Sequence, residues 1–182
     1  MFQRIMVILT IATLSACQAP TPPTPPTATA APAPIVPDIK GIRLGQTPAE
    51  FKAHFPEATC KSLEEPDTTQ CTTNGQTLGG HSTIVEATYD HDRAFLVNAY
   101  GIDKAAMPDI TAALVVKYGV PADVAHRPAK LQDPRETVWA GNGWWLVSST
   151  VAYQSMGVVM LTDSRWLDRK ERSRIKAAAQ DL

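Results

Sequence analysis

The side chains able to do chemistry are few and scattered. Four histidines, His54, His81, His91 and His126, fall in segments that read as helix, loop and turn. Asp90-His91-Asp92 offers oxygen and nitrogen donors of the kind a metal takes. The same residues are the polar, turn-tolerant types that a hairpin needs, and that reading is preferred. Leu78-Gly79-Gly80-His81-Ser82 sets a serine beside a histidine. A nucleophile, however, needs its base in hydrogen-bond reach and a third group to orient that base, and the chain names none. Gly141-Asn142-Gly143 begins like a dinucleotide fingerprint, but the third glycine is missing, Trp144 and Trp145 would crowd a phosphate, and no helix follows. It reads as a turn. There is no G-x-S-x-G elbow, no H-E-x-x-H and no Walker-type loop. Acidic residues are spread evenly, with no pair set apart for acid–base work. The expectation is a non-enzymatic protein with no catalytic residues, no metal and no cofactor.

Recognition is a better match to these residue types than catalysis. Trp139, Trp144 and Trp145 sit around the Gly141-Asn142-Gly143 turn. Adjacent strand residues point to opposite faces, so one of Trp144 and Trp145 can pack under helices while the other meets solvent or a partner. Exposed Trp is enriched at binding hot spots. The alternative is that helices cover the sheet and both rings are buried. The candidate interface is Trp144 and Trp145, with Arg135 and Tyr153 as polar neighbours.

The formal net charge of -1 gives no field to draw nucleic acid, and no nucleic-acid partner is expected. Residues 1–16 read as a lipoprotein signal peptide. Met1 to Arg4 carry one positive charge, Ile5 to Leu14 are apolar, and Leu14-Ser15-Ala16-Cys17 resembles a bacterial lipobox. At about 1.5 Å per residue, a run of about a dozen residues falls well short of a hydrocarbon core of about 30 Å. The resemblance implies lipid on Cys17 and membrane lipid as a partner, with several acyl chains giving a stable anchor. Gln18 after Cys17 resembles the outer-membrane sorting pattern, which implies the periplasmic face of the outer membrane. Cys60 and Cys71 then remain, an even number in an exported chain, where disulfides persist. A bridge is favoured over two free thiols or a metal site, and would contribute about 3 kcal/mol.

Residues 17–37 hold the lipidated Cys and a Pro/Thr/Ala-rich tether. Pro20, Pro22, Pro23, Pro25, Pro26, Pro32, Pro34 and Pro37 favour extended polyproline segments, with a reach of roughly 60 Å. Residues 38–182 are expected to fold as one periplasmic domain. Thr47-Pro48-Ala49-Glu50 is a helix start with a capping box, Phe51 and Phe55 share a face, and Pro56 stops the helix. A polar excursion bounded by the cysteines runs through Pro66 and Asn74-Gly75. Two strands follow in residues 82–100 around Asp90-His91-Asp92-Arg93. A second helix carries Ile110, Ala113, Leu114, Lys117 and Tyr118, with Gly119 as its C-cap. Strands at 137–140 and 144–149 flank Gly141-Asn142-Gly143, and 156–161 gives a third. Residues 164–181 close the chain as a helix rich in cations, Arg165, Arg169, Lys170, Arg172, Arg174 and Lys176 against Asp168 and Glu171, read as a solvated face.

The fold class that results is α+β: two tandem helix-plus-antiparallel-meander units in one domain, with a C-terminal helix. Gly41-Ile42-Arg43-Leu44-Gly45-Gln46-Thr47, with the short helix to Pro56, resembles the opening of small outer-membrane lipoproteins of β-barrel assembly. Lys117-Tyr118-Gly119-Val120-Pro121 resembles the same helix end in a second copy. A doubled unit of this type is similar to the β-lactamase-inhibitor-protein fold. The resemblance implies an accessory or scaffold module that contacts an envelope protein through its sheet. Inhibition of a periplasmic or secreted hydrolase is the alternative, and carriage of a small ligand a third.

Overall fold

The computed structural model describes residues 36–153, 156–166, 168 and 169, with the backbone alone at 151–153. The expected signal peptide, Cys17 and the tether as far as residue 35 lie outside the described residues. So do the Tyr153 side chain and, of the cationic closing segment, Lys170, Glu171, Arg172, Arg174 and Lys176.

The folded chain begins with a clasp. Ile39 and Ile42 exchange backbone hydrogen bonds of 2.9 and 3.0 Å across a tight turn whose central residues, Lys40 and Gly41, take φ of 54° and 81°. That turn drives both isoleucines into the core. The first helix, α1 (Pro48–His54), starts as its sequence dictates. The Glu50 carboxylate accepts from the Thr47 N–H at 2.7 Å, and the Thr47 hydroxyl oxygen accepts from the Glu50 N–H at 3.3 Å. Two donors at the helix start are thereby satisfied. Phe51 and Phe55 are both buried, rings edge to face.

Next come β1 (Thr59–Ser62), β2 (Thr68–Leu78), β3 (His81–Asp90) and β4 (Arg93–Asp103), then α2 (Met107–Tyr118), then β5 (Thr137–Gly141), β6 (Trp144–Tyr153) and β7 (Met156–Asp163). The strands form one antiparallel sheet in the order β1-β2-β3-β4-β7-β6-β5. The fold is thus mixed α and β, with α1 and α2 packed against one face of an antiparallel sheet. Among the described residues no helix is long and apolar enough to cross a membrane.

The polar excursion between the cysteines is two strands. Asn74-Gly75 is no hairpin turn: Gly75, at φ 69°, lies where the β2–β3 register shifts, and β2 runs on to Leu78. The turn comes instead at Gly79-Gly80, both at positive φ, the geometry of a tight two-residue hairpin. Two further hairpin turns fall where the sequence sets them, at His91-Asp92 and at Asn142-Gly143. Gly119, at φ 82°, ends α2, and its N–H donates to the Val115 carbonyl.

Candidate functional site: the two faces of the sheet

One face of the sheet is dry. Val85, Ala87, Val97, Leu146, Val159 and Leu161 line it and meet Phe51, Met107 and Ile110 from the helices. A hydrogen bond of 2.7 Å between the Thr111 and Ser148 hydroxyls seats α2 on β6. Trp139 belongs wholly to this core, 2 % exposed, and its indole N–H donates to the Gly119 carbonyl at 2.8 Å. Tyr89 is buried there as well, and burial pushes its phenol above the ordinary value, so it stays neutral.

The other face carries neither α1 nor α2; at its Asp90 end the helical residues 164–166 bring Trp166 onto Phe95, rings stacked at 4.5 Å, and Arg169 reaches Asp90. Strand register sets out its rows. Thr88, Leu96, Thr162 and Trp145 lie side by side across β3, β4, β7 and β6. Glu86, Asn98, Met160 and Val147 form the next row, then Ile84, Tyr100, Val158 and Ser149. Ile84, Glu86, Leu96, Asn98, Tyr100, Met160 and Trp145 are half-buried, presenting apolar, aromatic and amide groups together. At one end Leu131 leans in from the loop before β5 and covers Val138 and Val147. The Tyr100 hydroxyl donates to Glu86 at 3.5 Å, a long bond.

Trp144 and Trp145 are each half-buried and divide between the faces. Trp144 packs against the helix-side core and lies over Gly141, where a Cβ would stand 2.1 Å from the ring. Trp145 packs beside Leu131, Val138, Val147 and Met160 on the face opposite α1 and α2. The structure does not bring Arg135 or Tyr153 to them. Arg135 grips Asp133 in the loop before β5, at 2.6 Å, and that pair holds the Asp133 carboxyl down at about 2. Tyr153 stands eight positions beyond Trp145 in β6, about 26 Å along a strand. The residues that do accompany Trp145 were not singled out by sequence, although the alternation of Leu96 and Asn98 with Phe95 and Val97 is their signal.

Cys60 and Cys71 face each other across the β1–β2 ladder and are joined in a disulfide, with Cα atoms 4.0 Å apart. Cys71 is buried and Cys60 half-buried, so the bridge fastens the short edge strand to the core. Asp90-His91-Asp92 is a turn. His91 Nδ1 lies 2.6 Å from Asp90 Oδ1 and its Nε2 3.5 Å from Asp67 Oδ2, and these contacts hold the imidazole above its ordinary value. Among the described residues no group of three or more His, Cys, Asp or Glu is placed to hold a metal. His81 and Ser82 are consecutive in β3, so their side chains point to opposite faces and cannot act as base and nucleophile.

The chain matches no known protein family, no curated protein and no solved structure. Function therefore has to be argued from the surface itself. An open cleft of about 740 Å³ between the Asp90–Arg93 and Asn142–Gly143 turns, walled by Trp144, sets Arg93, Arg165 and Arg169 against Asp90 and Asp163, and each arginine already has a partner. Arg165 pairs with Asp163 at 2.9 Å, Arg169 reaches Asp90 at 3.6 Å, and Arg93 donates to the Gly45 carbonyl at 3.0 Å.

Proposed function

We propose that this chain is a non-enzymatic protein-binding module of the bacterial cell envelope, held by lipid on Cys17 at the periplasmic face of the outer membrane. The face opposite α1 and α2 carries the reading. A half-buried Trp145 stands in it beside Met160, with Thr162 between it and Leu96, and with Asn98, Tyr100 and Glu86 farther along the sheet. Apolar and aromatic side chains interleaved with amide and carboxylate groups are a composition that protein-recognition patches use. Extended strands hold these side chains in place, so little ordering cost accompanies binding.

The anchor rests on the lipobox at Leu14-Ser15-Ala16-Cys17, and the Pro-rich tether would let the domain reach a partner away from the lipid. The order of elements supports a doubled unit: α1 with β1–β4, and α2 with β5–β7, meeting where β4 pairs with β7. The test is capture from envelope extract by the full chain, compared with Trp145→Ala and Trp144→Ala, followed by binding measured with the purified partner. A stoichiometric partner whose affinity drops at least tenfold in Trp145→Ala, and little in a folded Trp144→Ala, supports the reading. Equal capture by all three chains overturns it. A partner that is a hydrolase and loses activity when bound makes the module an inhibitor.

A further inference from the structure

A separate slot lies on the helix side of the molecule, remote in kind from the recognition face and independent of the reading just given. Its volume is about 300 Å³. One wall is a single stripe of α2, Ile110, Ala113, Leu114 and Lys117, at the i, i+3, i+4, i+7 spacing of one helix face. Val159 of β7 and Leu78 of the β2–β3 hairpin contribute further apolar lining. Gly79 faces Ile110 so closely that a Cβ there would stand 3.2 Å from Ile110 Cγ1, and its φ is 58°. A side chain at that position would close the space.

Three charged residues, Asp38, Lys40 and Lys117, join the apolar lining. Asp38 is fully engaged: one carboxylate oxygen accepts from the Gly41 N–H at 3.0 Å, the other from Lys117 Nζ at 3.0 Å. Lys117 is thereby paired as well. Lys40 has no hydrogen-bond or ion-pair partner among the described residues. Its backbone, at φ 54°, is held in the turn between the two buried isoleucines, so the chain presents it at a fixed place. A largely apolar slot, open at the surface beside one unpaired cation, is complementary to a hydrocarbon carrying one negative charge.

We propose that this slot binds a small alkyl carboxylate, the chain lying along the α2 stripe and the carboxylate paired with Lys40. The size, at the low end of small-molecule sites of about 300–1,000 Å³, fits one short chain rather than a two-tailed lipid. With Asp38 and Lys117 paired to each other, the lining keeps one positive charge in excess, which an alkylammonium would add to and an alcohol would leave unpaired.

The test is calorimetric titration of the full chain with butanoate, hexanoate, octanoate and decanoate, each below its micelle concentration, beside octanol and octylammonium. Affinity should rise about fourfold per methylene until the slot is filled. Octanoate should bind more tightly than octanol, and octylammonium most weakly. Lys40→Asn, which tolerates the positive φ, should weaken octanoate about tenfold and leave octanol unchanged. Ala113→Trp, at an exposed position on the slot, should weaken both. No binding by any carboxylate, no dependence on chain length, or octylammonium binding as well as octanoate would overturn the proposal on the unmodified chain alone.

Discussion

Trp144 and Trp145, adjacent in β6, serve different faces: Trp144 packs against the core beneath the helices, and Trp145 against Leu131, Val138 and Val147 on the other side. The period of two in a strand requires the division. It separates an indole of the helix-side core from one on the opposite face.

Truncation should therefore read out differently at the two positions. Trp144→Ala removes contact with the main core and should cost about 2 kcal/mol, part of what a fully buried Trp costs. Trp145→Ala should cost about 1 kcal/mol while removing the recognition surface. Urea unfolding of both variants checks the order, and a larger loss for Trp145→Ala would contradict the assignment of faces.

Gly157 opens β7 against α2. A Cβ there would stand 2.3 Å from both Cγ and Sδ of Met107, which is itself buried. Gly157→Ala should push Met107 out of place and destabilise the fold by about 1–3 kcal/mol. The companion change Met107→Ala should recover part of that loss when both are present, a coupling that a double-mutant cycle measures.

The disulfide fastens an edge strand of four residues. Replacing Cys60 and Cys71 by Ala should cost about 3 kcal/mol, mainly by freeing the unfolded chain. Hydrogen exchange should report the release first at Thr59–Ser62, since β1 pairs only along β2 among the described strands. Unchanged protection of β1 in the double variant would show that the ladder suffices without the bridge.

His91 gives a pH dependence whose sign is fixed by its neighbours. The hydrogen bond and charge of Asp90 come first in raising its value, then the charge of Asp67, while desolvation and Arg169 oppose. A raised folded value contributes stability that is complete below the ordinary imidazole value of about 6.5 and is lost as pH rises through the folded one. Proton NMR titration of the ring should place His91 above the ordinary value, and Asp90→Asn should bring it down. An unshifted His91 in the unmodified chain would remove the ion pairs from the account.

Local signals in the sequence carried far. The capping box at Thr47 and Glu50, the stop at Gly119, and the turns at His91-Asp92 and Asn142-Gly143 all lie where residue type alone puts them, because each is settled within a few residues. β2 was not legible. It is Thr-rich, lacks clean alternation, and contains Asn74-Gly75, which in isolation signals a hairpin but here makes a bulge because β3 pairs on both sides of it. The seating of β7 between β4 and β6 is a long-range choice, with Val158 to Leu161 as its trace: an apolar run suited to a strand covered on both faces. For the site, the division of Trp144 from Trp145 followed from strand period, but which ring lay under the helices depended on register. Arg135 is held by Asp133 in the loop before β5, and Tyr153 stands eight residues along β6 from Trp145, although both are near the tryptophans in sequence.

The central claim is that the sheet face opposite α1 and α2 meets a protein partner. A photo-crosslinking residue at Asn98, in the middle row of that face, compared with one at Ala112 on the exposed side of α2, tests it most directly in intact cells. The account predicts one discrete adduct from Asn98, lost when Trp145→Ala is added, and none from Ala112. Adducts from Ala112 alone, or an Asn98 adduct indifferent to Trp145→Ala, would contradict it.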